Sequence, residues 1–198
     1  MQTDIKVAQA FGLIGEMYDL TPRRVDAFET ATDINMGDVV GRKSDGTLGK
    51  ASSTYSGFAG FCVRPKEAIN YGATSALDPS LKVPAGVTAQ VASMGRIVLP
   101  LYLEATVDNK ADEATALADA ETALKALSDV VDGATAYYKE YVLSTDSTSS
   151  TAIGKFVKGA DVSESVVITS NVASADASHE GKKKATAKGY VVVVVEIG

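Results

Sequence analysis

The run Val83–Leu103, VPAGVTAQVASMGRIVLPLYL, constrains the fold more than any other stretch of the chain. Val87, Ala89 and Val91, then Ile97, Leu99, Leu101 and Leu103, all stand at odd positions. A period of two puts them on one face of extended chain. Thr88, Gln90, Ala92 and Arg96 fall on the other face, and Met94 and Val98 keep that face from being purely polar. Pro84-Ala85-Gly86 opens the run as a turn, because proline presets φ and glycine accepts positive φ. Gly95 marks a bulge or a strand-to-strand bend. Pro100 has no N–H to give, so the second half is expected at a sheet edge or at the start of a bend. The stretch reads as one or two half-buried strands with no catalytic signature.

Further strand signals lie on both sides of it. Ile34–Ser44 carries Met36-Gly37-Asp38 as a turn and Val39-Val40 as strand, and Asp45-Gly46 is a hairpin signal leading into Thr47-Leu48. In Tyr55–Arg64, Ala59, Phe61 and Val63 alternate with Phe58, Gly60 and Cys62. Both faces are apolar, so this strand is expected to be covered on both sides, and Pro65 ends it. Residues 71–82 read as loop. Ala134–Leu143 reads as strand, Ser144–Thr151 as an exposed, mobile Ser/Thr loop, and Ala152–Val157 and Ser165–Thr169 as short strands. Ser174–Lys188 is small and polar. Tyr190–Val195 is an unbroken strand-favouring run that is expected at the centre of a sheet.

Between residues 110 and 131 the period changes. Leu117, Ala120, Leu124, Leu127 and Val131 are spaced three and four apart, and the segment is rich in alanine, so it reads as a helix with one narrow apolar stripe. Asp108 or Asn109 can cap its start, Asp112 and Glu113 suit its positive end, and Asp132-Gly133 stops it. The expected architecture is mainly β: a single β-barrel or β-sandwich-like domain over residues 31–198, with one inserted α-helix at about 110–131.

Residues 1–30 complete that domain as an extended N-terminal arm. Gly12, Gly15 and Pro22 forbid a long helix there, yet Val7, Phe11, Leu13, Ile14, Met17, Tyr18 and Leu20 are apolar without a period of their own. Two readings stay open. The segment is an edge strand on the chain's own sheet, or it is an arm that docks on a neighbouring subunit with Arg23 and Arg24 at its base. The contact candidates are therefore Phe11, Leu13, Ile14, Met17, Tyr18, Arg23 and Arg24.

The chemistry-bearing residues are sparse. His179 is the only histidine and Cys62 the only cysteine, so no Ser–His–Asp or Cys–His set can be completed without a histidine in a polar segment, and a zinc site lacks ligands. Cys62 alternates with core positions and reads as a small buried apolar residue. Asp45–Ala51 and Gly154–Gly159 have Gly-Lys but miss the spacing of a phosphate loop. Lys182-Lys183-Lys184 reads as a solvated charge run, with a contact to an acidic partner as the alternative. No catalytic, cofactor or metal site is expected. A net charge of −6 argues against nucleic acid as a partner, and no apolar window is long enough for a membrane span. The N-terminus lacks the basic and apolar regions of a cleaved leader, and the lone thiol suits synthesis in a reducing bacterial cytoplasm.

Several stretches taken together resemble a known family. They are Gly12-Leu13-Ile14-Gly15-Glu16-Met17, Pro22-Arg23-Arg24-Val25, Ile34–Val40, Phe58–Val63, Val83-Pro84-Ala85-Gly86 and Gly95-Arg96-Ile97-Val98. Their order and spacing are similar to those of the structural cement proteins that decorate tailed-bacteriophage capsids. The resemblance is best over the first hundred residues, and Gly133–Tyr137 is similar to a strand start in that group. It implies a virion protein on the capsid exterior that clamps neighbouring major capsid subunits. It also implies neighbouring copies in a homo-oligomer, with a trimer as one candidate number. Two other readings compete: another phage part from the tail, head-completion or fibre apparatus, and a β-sandwich carbohydrate- or ligand-binding module. The absence of tryptophan weakens the last, although eight tyrosines keep it open.

Overall fold

A computed structural model of the chain describes residues 14–17, 23–64, 82–128, 130–157, 169–174 and 182–198. These form β1 (Arg24–Glu29), β2 (Ile34–Asn35), β3 (Val39–Arg42), β4 (Leu48–Lys50), β5 (Gly57–Val63), β6 (Lys82–Val83) and β7 (Thr88–Lys110). The helix α1 (Glu113–Ser128) follows, then β8 (Thr135–Lys139), β9 (Val142–Ser144), β10 (Thr151–Val157), β11 (Thr169–Ser174) and β12 (Lys183–Ile197). The fold is mainly β, as expected. One sheet runs in the order β4-β3-β5-β7-β12-β10-β8-β9, with β1 also on β7 and β11 also on β12, while β2 pairs with β6. Among the described residues its two ends, β4 and β9, do not pair, so no barrel closes.

The chain divides into two compact units. The first comprises residues 1–100, 131–162 and 192–198, and the second residues 101–130 and 163–191. Strands β7 and β12 each contribute residues to both.

In the first unit β7 is flanked on both edges. Val91 lies opposite Asp26 of β1 and Cys62 of β5, and Ala92 opposite Val25 and Phe61. The odd positions Ala89, Val91, Ile97 and Leu99 are buried as the alternation requires, with Val87 exposed before the strand begins, but Ala92 and Val98 of the expected outer face are buried too, so the middle of β7 is covered on both sides and not half-buried. Gly95 takes φ 115°, and β1 pairing ends at Met94. Beyond it Arg96 donates to Glu196 of β12 at 2.9 Å. The glycine, expected as a bulge or bend, marks where β1 pairing ends within a continuous β7. Val192–Val195 are buried, and Val194 and Val195 pair with Val157 and Phe156 of β10. The valine run is therefore a central strand. Phe58 of β5 meets Tyr138 of β8 with ring centroids 5.4 Å apart, and the Tyr138 hydroxyl donates to the carbonyl of Ser56 at 3.2 Å. These contacts join the β4-β3-β5-β7-β1 group to the β10-β8-β9 group in a sandwich-like arrangement. Phe61, Ile97 and Leu99 are fully buried, and each such side chain contributes about 1.5–3 kcal/mol.

The second unit pairs residues 101–110 of β7 with the first part of β12. Its exposed face is a ladder of matched side chains. Tyr102 meets Tyr190 at 6.0 Å, Glu104 pairs with Lys188 at 3.0 Å, Thr106 with Thr186 at 3.0 Å and Asp108 with Lys184 at 3.9 Å. Exposed ion pairs contribute at most about 1 kcal/mol each. Their value is in register, because a one-residue slip would set every pair against the wrong face. The other face buries Leu101, Leu103, Ala105, Ala185 and Ala187.

Several expectations are corrected here. The helix is shorter than 110–131, and its buried line is Ala116, Ala120 and Leu124: Ala120 and Leu124 of the expected stripe are buried, and Ala116 takes the inner place expected of Leu117. Leu127 and Val131 are exposed. Alanine at 116 and 120 lets the first turns of the helix lie close to their neighbours, and Leu124 fills the space beyond them. The cap is Asp112, not Asp108 or Asn109: its carboxylate accepts from the Thr115 N–H at 2.8 Å and the Thr115 hydroxyl at 2.9 Å. Those bonds hold its carboxyl below the usual range. Pro100 does not end its strand. It is buried within β7, and its ring fits because Gly37 opposite has no side chain: a β-carbon there would stand 2.8 Å from the Pro100 Cδ. Lys183–Lys188 belong to β12 and not to a polar connection. Lys182 and Lys184 are exposed, as a solvated charge run requires, and Lys184 also forms a rung of the ladder. The strand expected over 165–169 is seen as β11 from Thr169 to Ser174, and residues 165–168 lie outside the described residues.

The single strand expected over Ala134–Leu143 is a hairpin. Lys139 of β8 pairs with Val142 of β9, leaving Glu140 and Tyr141 as a two-residue turn with φ 47° and 71°. Two successive positive φ values match the twist of an antiparallel pair, but Asn-Gly is the usual sequence. Each left-handed non-glycine residue costs about 1–2 kcal/mol. No local turn chemistry announces it.

Asp146 organises the Ser/Thr loop that follows. Its side chain accepts from the Thr148 N–H at 2.8 Å and from Lys139, and its own N–H donates to the Ser144 hydroxyl at 3.0 Å. The Lys139 bond foremost, then that from Thr148, lowers its carboxyl to about 2, against an ordinary 3.8. A depressed carboxyl stabilises the fold above its unfolded value, and that contribution is lost as pH falls through the folded one. Thermal melts between pH 4 and 2 are therefore expected to fall less steeply for Asp146→Asn than for the parent chain. Equal slopes would show that this carboxylate is not held in the native state.

Candidate interaction surface

Among the described residues no group of three or more His, Cys, Asp or Glu side chains is placed to bind a metal ion. His179 lies outside the described residues. Cys62 is buried, and burial foremost, with the charge of Asp38 second, pushes its thiol up to about 12. A thiol so protonated is a poor nucleophile at neutral pH. No helix among the described residues is long and apolar enough to cross a membrane.

What the fold offers is surface. Of the expected contact residues, Phe11, Leu13 and Tyr18 lie outside the described residues. Ile14 is only 1% exposed, and Met17 is half-buried and bridges to Ile97 of β7. Backbone bonds fix this segment to the chain's own sheet. The Gly15 N–H donates to the Val98 carbonyl at 2.8 Å, the Val98 N–H to Glu16 at 2.9 Å, and the Arg64 N–H to Gly15 at 2.7 Å. The Arg64 side chain is itself buried and donates from Nε to the Ile14 carbonyl at 2.8 Å. For residues 14–17 the own-sheet placement is thus what the molecule shows. Arg23 and Arg24 are exposed, and Arg24 pairs with Asp26 at 3.0 Å. They reach solvent while the segment before them is anchored.

A family model described as "Structural cement protein (E217 gp24/Pam3 gp6)" matches residues 1–196 of the chain. The chain belongs to the phage structural cement protein family. Searches of the curated proteins and of the solved structures found no match. Cement family membership gives the chain a structural role in the phage capsid, and it extends to the second half, where the resemblance in sequence was loose. For a cement protein the exposed apolar side chains become the surfaces of interest. In the first unit these are Val87, Met94, Val131, Tyr141 and Val142, and in the second Tyr102 and Leu127. Sequence reasoning missed Tyr141 and Val142. The signal available was Lys139-Glu140, a charged pair interrupting the apolar stretch from Tyr137 to Leu143.

Proposed function

We propose that this cement protein binds the outer surface of the capsid and holds neighbouring major capsid subunits together, without catalysis. The observation that carries the reading is the family match over nearly the whole chain. Its working partners are the major capsid protein and neighbouring copies of itself, and it is made in the host cytoplasm before it joins the virion. Phe11, Leu13, Tyr18, Arg23 and Arg24 contribute contacts to the shell, and Ile14–Met17 hold the base of the arm on the chain's own sheet. The stitching of Gly15 and Glu16 to Val98, and of Ile14 to Arg64, supports this division, because a tether must be fixed at one end to transmit load. Many copies on a lattice add weak contacts into a strong restraint on shell expansion.

The test mixes the purified chain with empty, cement-free shells of the parent phage. Saturable, lattice-ordered binding that raises the melting temperature of the shell is expected, and no binding at micromolar concentration overturns the reading. Deleting residues 1–13 leaves the Gly15–Val98 anchor in place. It is expected to keep the fold while weakening shell binding by about tenfold or more. Unchanged binding would remove the arm from the contact.

A further inference from the structure

The β8–β9 hairpin spends conformational energy on what its tip displays. A two-residue turn with both φ values positive favours Asn-Gly, and here it holds Glu140 and Tyr141. The tip is also mounted rigidly. Tyr141 leans on Tyr138 at 6.5 Å, Tyr138 on Phe58 at 5.4 Å, and Phe58 on the fully buried Phe61 at 5.6 Å. The Tyr138 hydroxyl is fixed to Ser56, and on the other flank Lys139 is held by Asp146. Tyr141 is 38% exposed and Val142 43%. Glu140 is exposed and forms no ion pair with the described residues.

We propose that the β8–β9 tip is a preformed contact knob, with Tyr141 and Val142 entering an apolar recess on the capsid shell protein and Glu140 meeting a cation at the rim of that recess. The inference rests on the capsid-binding reading above and names a surface for it that is separate from the N-terminal arm. A rigid aromatic with a polar end loses little conformational entropy on binding, which is why tyrosine recurs among the residues that dominate interfaces. The exposed carboxylate at the tip sets the sign of the partner's charge. A recess lined by acidic residues would repel it, and an uncharged rim would leave its salt dependence flat.

The test uses the full chain and the same empty shells. Replacing Glu140→Asn together with Tyr141→Gly installs the preferred turn and removes the knob. This variant is expected to melt at or above the parent temperature and yet to bind shells about tenfold or more weakly. A tyrosine with only a structural role would give the opposite pattern, a lower melting temperature with unchanged binding, and that result overturns the proposal. Glu140→Gln alone is expected to weaken binding by about two- to fivefold and to reduce its salt dependence. Unchanged salt dependence would overturn the rim cation. If the parent chain fails to bind shells, the capsid-binding reading falls first. If the parent binds and the double variant binds equally, only the knob falls. A double variant that changes the oligomeric state of the free chain would assign the recess to a second copy, and would also overturn the proposal.

Discussion

Gly60→Ala is expected to abolish the folded state of the first unit. Gly60 sits inside β5 with φ 145°, a conformation that side-chain-bearing residues rarely adopt, at the bulge where β3 shifts register against β5. A β-carbon there would collide with the carbonyl oxygen of Ala92 and stand 2.9 Å from Val91 Cγ2. The obstacle is the backbone of the central strand β7, which cannot move without breaking its pairing with β1. Strain and collision together exceed about 4 kcal/mol, a large part of the ~5–15 kcal/mol that holds a typical domain. Insoluble protein, or a chain without dispersed amide signals by NMR, is the expected outcome. Gly46→Ala is the control: Gly46 also has positive φ, 90°, but a β-carbon there meets nothing within 4 Å. It is expected to cost about 1 kcal/mol. If both variants melt together near the parent temperature, the close approach of β5 to β7 is not as described.

Phe61→Ala is expected to cost about 3–5 kcal/mol, read as a lower denaturation midpoint in urea. Phe61 has no exposed surface, lies opposite Val39 on one side and Ala92 on the other, and packs edge-on against Phe58. Its neighbours are strands fixed by ladders on both edges, so the void cannot collapse, and the cost belongs at the upper end for a deletion of this size. Phe58 and Tyr138 continue from Phe61 toward the hairpin tip. The substitution is therefore also expected to loosen Tyr141, seen as faster amide exchange at residues 138–142. A cost under about 1 kcal/mol would mean that the two strand groups are not packed through this ring.

Much of the sheet was legible in the sequence. Alternation at odd positions located the buried face of β7, the double-sided apolar run predicted a covered β5, and Val191–Val195 predicted a central strand. Each follows from a local rule, in which period and composition fix how many faces are covered. Asp45-Gly46 likewise announced its own hairpin. The β8–β9 turn did not, because Glu140 and Tyr141 take left-handed conformations without the Asn-Gly chemistry that signals them, and the pairing of Lys139 with Val142 is what closes the hairpin. Glycine and proline were ambiguous for a related reason. Gly95 was recognised as a break, but whether it ended a strand or let one continue past a change of partners depended on β1 and β12. Pro100 read as a sheet-edge or bend position, and the space above Gly37 let it stand buried within β7.

The sequence by itself determined a mainly β chain with one alanine-rich helix, a buried thiol, and, through spaced turn-and-strand motifs, a kinship with phage cement proteins. Those properties depend on residues near each other along the chain. Only the tertiary structure decided that Ile14–Met17 lie on the chain's own sheet, that Lys184 and Lys188 answer Asp108 and Glu104, and that Tyr141 stands on a stiff hairpin. Each of these depends on which strand lies beside which. Pairing of that kind is set by the sum of many contacts far apart in sequence, of which no single stretch holds more than one side.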